Sequence, residues 1–308
     1  MSACHSWALD DLVEAYKQHQ RRTRGLQDQT LSGYERHVRE FVRGALGDDP
    51  VDPSELGCAD VVEFVSSMTV RYSPVSMKWV RTALRSFLRY LRGEGYIPDE
   101  RLEAAIPRQA HWRLSTLPRS LSDQQLRQVL DSLDVASPCG PRDRAIVRLL
   151  AGLGLRPGEV VELRLEDIDW RAGTIELRLR KNRRGAVLPL PHEAGRAIAG
   201  YLREHRPETR ERRVFVKQTG PRRGEPIGAT AVSQVVARAL RRAGVQAPMR
   251  SAYVFRHTVA SQLVQHGATL KEVADVLGHQ DLGTAAIYAK VDLPALREVA
   301  LPWPEANR

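Results

Sequence analysis

Lysine is nearly missing from this sequence: six residues, at positions 17, 78, 181, 217, 271 and 290, stand against 41 arginines. An arginine excess can follow from coding bias alone, so the few lysines are the more telling residues, each asking why arginine was not used. Cysteine is as scarce. Cys4, Cys58 and Cys139 are scattered, odd in number and without metal-ligand spacing, which excludes a disulfide framework or a structural zinc site and reads as reduced, cytoplasmic thiols. No apolar run reaches about 18 residues and no apolar leader opens the chain, so membrane insertion and export are not expected.

The 308 residues leave room for two domains, and 42% hydrophobic with 27% charged residues fits a globular protein. The formal net charge is +10. Such an excess favours a polyanionic partner, with nucleic acid the default.

Residues 1–95 read as a helical domain of four amphipathic helices. Ser6 is placed as the cap of a helix carrying Leu9, Leu12, Val13 and Tyr16, and Thr30 as the start of one with Leu31, Tyr34, Val38, Phe41 and Val42. Asp60 precedes Val61, Phe64 and Val65, and Ser73-Pro74 caps a helix with Val80, Leu84, Phe87 and Leu91. Arg21, Arg22, Arg24, Arg36, Arg39, Lys78, Arg81, Arg85, Arg89 and Arg92 fall on the outward faces. They are expected to meet phosphates, since acidic residues are sparse over 71–92.

Residues 96–120, with Pro98, Pro107 and Pro118, read as a linker, and 121–308 as a second domain. Helices are expected over about 122–133, 142–153, 192–204 and 230–243, with a Ser-x-x-Gln capping box at Ser122. A strand is expected at 214–216. In GLGLRPGE, Pro157 suits the first position of a helix and leaves Arg156 beside its N-terminus, paired with Glu159 or aimed at a phosphate. TIELRLRKNRRGAVLPLP reads as a β-hairpin whose parity puts Lys181 in phase with Ile175, Leu177 and Leu179. The fold class is therefore mostly α with a small antiparallel β-sheet in the second domain. The tail, with Leu293, Leu296, Val299 and Leu301, reads as a short helix that docks on its own domain or on a neighbouring subunit.

The run 253–290 is the most informative. One helix ends at Gly267, and a second opens on a Thr269/Glu272 capping box and stops at Gly278. Tyr253 and Arg256, one helical turn apart, can face one point. His279 and Tyr288 each follow a break, where a polar group is presented without burial. Arg156, Lys181, Arg256, His279 and Tyr288 make a chemical set. Two guanidinium forks can hold the non-bridging oxygens of a phosphodiester, and a histidine adds a donor as charge grows. A lysine can protonate a leaving alkoxide, which an arginine cannot usefully do, and a tyrosine can attack phosphorus.

These motifs, GLGLRPGE, the hairpin Lys181 followed by AVLPLP, Arg256-His257, LGH at 277–279 and Tyr288, resemble the tyrosine recombinase (phage integrase, Xer-like) family in order and spacing. The resemblance covers about 120–291. It implies an N-terminal four-helix, SAM-like core-binding domain before a tyrosine-recombinase catalytic domain. It implies that Tyr288 attacks a DNA phosphate to give a 3′-phosphotyrosyl bond and a free 5′-hydroxyl. Arg156, Arg256 and His279 would stabilise the transition state and Lys181 would be the general acid. No ATP, metal or other cofactor is expected. Glu159 would orient Arg156, and His257 would be a structural hydrogen-bonder. The partners implied are double-stranded DNA and three further copies of the chain in a tetrameric synapse, with a cytoplasmic, nucleoid-associated location. The departure is Tyr253, where the family most often has histidine as hydrogen-bonder and base; a phenol with a pKa of roughly 10 is a poor base. Two alternatives stay open: a type IB topoisomerase-like DNA relaxase, and a non-catalytic sequence-specific DNA-binding protein with a decayed site.

Overall fold

The chain divides into Met1–Arg113, built on one apolar core, and Leu114–Arg308, built on a larger core and a smaller apolar cluster near its end. The computed structural model describes residues 6–48, 50–97, 100–108, 118–134, 136–178, 185–278 and 282–291. No helix among them is long and apolar enough to cross a membrane.

The first unit holds α1 (Leu9–Arg24), α2 (Asp28–Leu46), α3 (Cys58–Arg71), α4 (Pro74–Gly93) and the single turn α5 (Arg101–Ala104). Leu12, Val13, Tyr16, Val38, Phe41, Phe87 and Leu88 are fully buried where these helices meet, as the stripe of apolar positions requires. Ser73 caps α4 as expected, accepting from the Ser76 N–H at 3.3 Å. Other starts differ. Ala8, not Ser6, precedes α1, and α2 begins ahead of Thr30. Asp60 lies inside α3 and reaches back to accept from the Gly57 N–H at 2.8 Å.

Two features correct the sequence reading of this unit. Ile97, Leu102 and Ile106, placed in the linker, are buried in the first core. Removing each from water contributes about 1.5–3 kcal/mol, enough to hold a proline-bearing segment that composition marks as open. The basic residues are also less free than local sequence suggests. Arg81 is buried, and Arg39, Arg89 and Arg92 pair with Asp10, Glu35, Glu100 and Glu103 from other turns and helices. Arg22, Arg24, Arg36, Lys78 and Arg85 make no ion pair among the described residues.

The second unit runs α6 (Asp123–Asp131), α7 (Gly140–Leu153), α8 (Pro157–Glu162), β1 (Ile168–Asp169), β2 (Thr174–Leu177), β3 (Ala186–Pro189), α9 (His192–Gly200) and α10 (Ala229–Arg242). It ends with α11 (Tyr253–Gln265), α12 (Leu270–Leu277), the single turn α13 (Leu282–Ala285) and a 3-10 helix, Ala286–Val291. The strands form one antiparallel sheet in the order β1-β2-β3, with Ile175 opposite Leu188 and Leu177 opposite Ala186. Ile175 and Leu177 face the core while Glu176 is exposed, the alternation expected of a half-buried strand. The hairpin tip, Leu179 and Lys181 included, lies outside the described residues, as does the tail from 292 onward.

The expected strand at 214–216 is instead an irregular segment. Val214, Phe215 and Val216 are fully buried, but pairing is limited to isolated bridges, Arg164 with Arg213 and Val216 with Pro226. Its backbone is satisfied partly by side chains: Arg206 donates to the Val214 carbonyl and Arg142 to that of Val216. α9 ends at Gly200 and widens into a π-turn over Tyr201–His205. Both capping boxes read from sequence are present, Ser122 with Gln125 and Thr269 with Glu272.

Candidate active site

Helix ends build the site. α7 stops at Gly154, whose φ of 59° is left-handed, and three residues later Pro157 opens α8. That tight reversal leaves Arg156 immediately before α8. Glu159, on the first turn of α8, accepts from the Arg156 backbone N–H and from its Nη1, each at 2.8 Å. The carboxylate is buried against this fork. Its two oxygens thus cap the start of α8 and hold the arginine side chain.

Arg256 comes from the first turn of α11 and is buried at 5% exposure. Its Nη1 donates to the Gly154 carbonyl at 3.0 Å and its Nη2 to that of Leu277 at 2.6 Å. Arg156 Nη2 donates to the next carbonyl, Gly278, at 3.1 Å. The two guanidiniums therefore meet at the C-terminal end of α12, on the carbonyls of consecutive residues. Those carbonyls have no partner within their own helix and carry the negative end of its dipole, so they hold cations well. Gly278 closes α12 in the left-handed conformation, φ 63°. Among the described residues no His, Cys, Asp or Glu cluster could hold a metal ion.

Gly154 is required for this arrangement. A Cβ there would sit 3.3 Å from the Arg256 Cα and 3.1 Å from Leu277 Cδ2, on a backbone with φ 59°. Gly154→Ala is expected to cost at least about 1–2 kcal/mol from the left-handed backbone alone, measured by denaturant unfolding, and to displace Arg256.

Tyr288 is not presented openly, contrary to the expectation from the break before it. It is 2% exposed, in an apolar cluster with Ala260, Val264, Val273, Ala274, Leu277 and Ala285. α11 and α12 enclose the short 3-10 helix that carries it, so a position that reads as a loop becomes interior. Its hydroxyl lies 2.9 Å from His257 Nδ1. Burial pushes the phenol up to about 12, opposed by the charge of Arg256. His257 is itself lowered below the usual imidazole range, by burial first and then by the charges of Arg256 and Arg119. Tyr253, by contrast, is 45% exposed, so the turn it shares with Arg256 does not bring both to one interior point.

The structure thus gathers Arg156, Glu159, Arg256, His257 and Tyr288 about one end of α12, while Tyr253 is exposed on the first turn of α11. Lys181 and His279 lie outside the described residues. Sequence reasoning missed the three carbonyls that seat the arginines, those of Gly154, Leu277 and Gly278; the LG repeats at 153–154 and 277–278 are the local sign of them. It also missed Thr258, whose Oγ1 accepts from the Leu121 N–H at 2.9 Å and ties the strand of chain carrying Arg119 to α11.

Residues 119–293 match the sequence profile of the phage integrase family. The chain is 44% identical over 297 residues to the integrase/recombinase y4rA of Sinorhizobium fredii, covering 96% of this chain and 72% of that one. It is 29% identical over 299 residues to the tyrosine recombinase XerD of Listeria monocytogenes, covering 94% and 97%. Among solved structures, the XerH site-specific recombinase bound to its difH substrate in a pre-cleavage complex superposes with a TM-score of 0.71 at 21% identity, covering 99% of this chain and 86% of that one.

Proposed function

The chain belongs to the phage integrase family, and from that premise we propose how its residues divide the work of a tyrosine site-specific recombinase. Tyr288 is the nucleophile: its oxygen attacks the scissile phosphate, forms a phosphotyrosyl bond to the DNA 3′ end and releases a 5′-hydroxyl. Arg156 and Arg256 hold the non-bridging oxygens and stabilise the charge that grows there. The observation that carries this is the seating of both guanidiniums on adjacent carbonyls at the end of α12, with Arg256 acting electrostatically on Tyr288. The forks are held before substrate arrives, which lowers the cost of reorganising during the reaction. His279, next in the chain after Gly278, adds a donor, and Lys181 protonates the leaving 5′-oxygen; both assignments rest on the sequence motif. Tyr253 can donate to a phosphate oxygen but is not a base. The ester keeps the energy of the broken bond, so no nucleotide or metal cofactor enters the scheme.

Double-stranded DNA is the substrate. Basic residues of α1, α2 and α4 that make no ion pair among the described residues, Arg22, Arg36 and Lys78 with them, suit its phosphates. Exchange between two duplexes cuts four strands, and each chain carries one Tyr288, so four copies act together. The reaction places the protein with the chromosome, in the cytoplasm.

Fragments of the DNA that carries the gene, incubated with the protein and denatured in detergent, should yield covalent protein–DNA adducts whose ends identify the site. Nicked duplexes of that site should trap the adduct, and two intact duplexes should give joint molecules. Adducts without joint molecules would point to a relaxase of the type IB kind. Binding without adducts would leave only a DNA-binding protein.

A further inference from the structure

The scheme above leaves the phenol without a group to take its proton. Tyr253 stands where a histidine would do so, but it is an exposed phenol on the first turn of α11. The hydroxyl of Tyr288 is instead directed at His257, a residue that sequence reading treats as structural. We propose that His257 is the catalytic proton acceptor for Tyr288, receiving the hydroxyl proton on Nδ1 as the phenolic oxygen bonds to phosphorus. This rests on the assignment of Tyr288 as nucleophile.

The geometry is specific. The oxygen to nitrogen separation is 2.9 Å, within the range for direct transfer, and the rings are packed at 5.7 Å with 53° between their planes. With Tyr288 donating, Nδ1 carries the lone pair and Nε2 carries the ring proton. The contact joins residues 31 apart in sequence; its phenol side lies in the apolar cluster of α11 and α12, while the imidazole is half-buried at the edge of that cluster.

The charged groups acting on the imidazole are Arg256 on its own helix and Arg119 from the segment before α6; among the described residues none from α7, α12 or the 3-10 helix acts on it. Both are cations, and with burial they keep the ring neutral and able to accept. The Tyr288 O–H bond breaks with its proton going to Nδ1, a new O–P bond forms, and the P–O5′ bond breaks with its electron pair on the 5′-oxygen. That oxygen takes a proton from Lys181 in the scheme above. On resealing, the imidazolium returns its proton to the departing phenolate.

The test uses a nicked duplex of the mapped site in which sulfur replaces the bridging 5′-oxygen at the cleaved bond. Sulfur leaves without being protonated, so the contribution of the general acid drops out of the rate. Single-turnover adduct formation by the wild-type protein should be level from about pH 7 to 9 and fall in acid. His257→Asn places a carboxamide near the Nδ1 position, keeping a hydrogen-bond acceptor for Tyr288 that cannot take the proton. It should be slower at pH 7 on the order of 10²-fold or more, and its rate should climb about tenfold per pH unit as hydroxide does the work. A variant within about tenfold of wild type, or one slowed equally at every pH, overturns the proposal and makes His257 a positioning residue. If His257→Asn does not fold, the wild-type profile still decides: a rate rising tenfold per unit through neutrality means no side chain accepts the proton. If the wild-type protein forms no adduct through Tyr288 on any mapped site, the nucleophile assignment fails and this proposal falls with it.

Discussion

Tyr288→Phe is expected to bind its DNA site like the wild-type protein and to form no detergent-resistant adduct, a loss of at least about 10⁴-fold in cleavage. The substitution removes one oxygen from a side chain that is 2% exposed and leaves the ring in the cluster formed by Ala260, Val264, Val273 and Leu277. Packing is therefore kept. What is lost to folding is one hydrogen bond, to His257 Nδ1, worth about 1 kcal/mol. Chemistry loses the atom proposed to form the ester. Gel-shift affinity, unfolding midpoint and adduct yield on a nicked duplex separate these effects. An adduct of unchanged yield would show that another residue attacks and would remove the basis for the site as described.

Arg256→Ala carries the second large effect, and it acts on stability as well as rate. The guanidinium donates to the buried carbonyls of Gly154 and Leu277; without it, each is left unsatisfied at about 1–3 kcal/mol. Cleavage should fall on the order of 10²–10³-fold, the usual result of deleting one donor to a developing oxyanion. Arg256→Lys tells the two roles apart. An ammonium restores charge and can reach one carbonyl, so part of the stability should return. It cannot hold two carbonyls and a phosphate at once, so cleavage should stay low. Single-turnover cleavage and urea unfolding of both variants measure this. If Arg256→Ala cleaves within about tenfold of wild type, the end of α12 does not seat the reacting phosphate.

The candidate site was legible in the sequence to the extent that its signals are local. The Ser122/Gln125 and Thr269/Glu272 boxes, Pro157 after Arg156, and the glycine stop at Gly278 concern groups within a turn of one another, and their chemistry reads directly from residue type. Where the reading went astray, the deciding partner was far along the chain. Arginines of α2 and α4 read as free meet carboxylates on other elements, Arg39 with Asp10 of α1 and Arg89 with Glu103 of α5. Ile97, Leu102 and Ile106 read as linker because prolines surround them, and only the apolar surface of the first unit draws them in.

From the sequence by itself came the family, the helical character, and the identities of the arginines and of the tyrosine, because chemistry is written in residue type and spacing. Tertiary structure alone decided how they are held. Arg156 reaches a carbonyl 122 positions away and Arg256 one 102 positions away, while Tyr288 turns inward to a histidine 31 positions before it. Those contacts exist because α7, α11 and α12 pack so that the stop of one helix and the end of another face the same point. No periodicity within any single helix encodes that meeting.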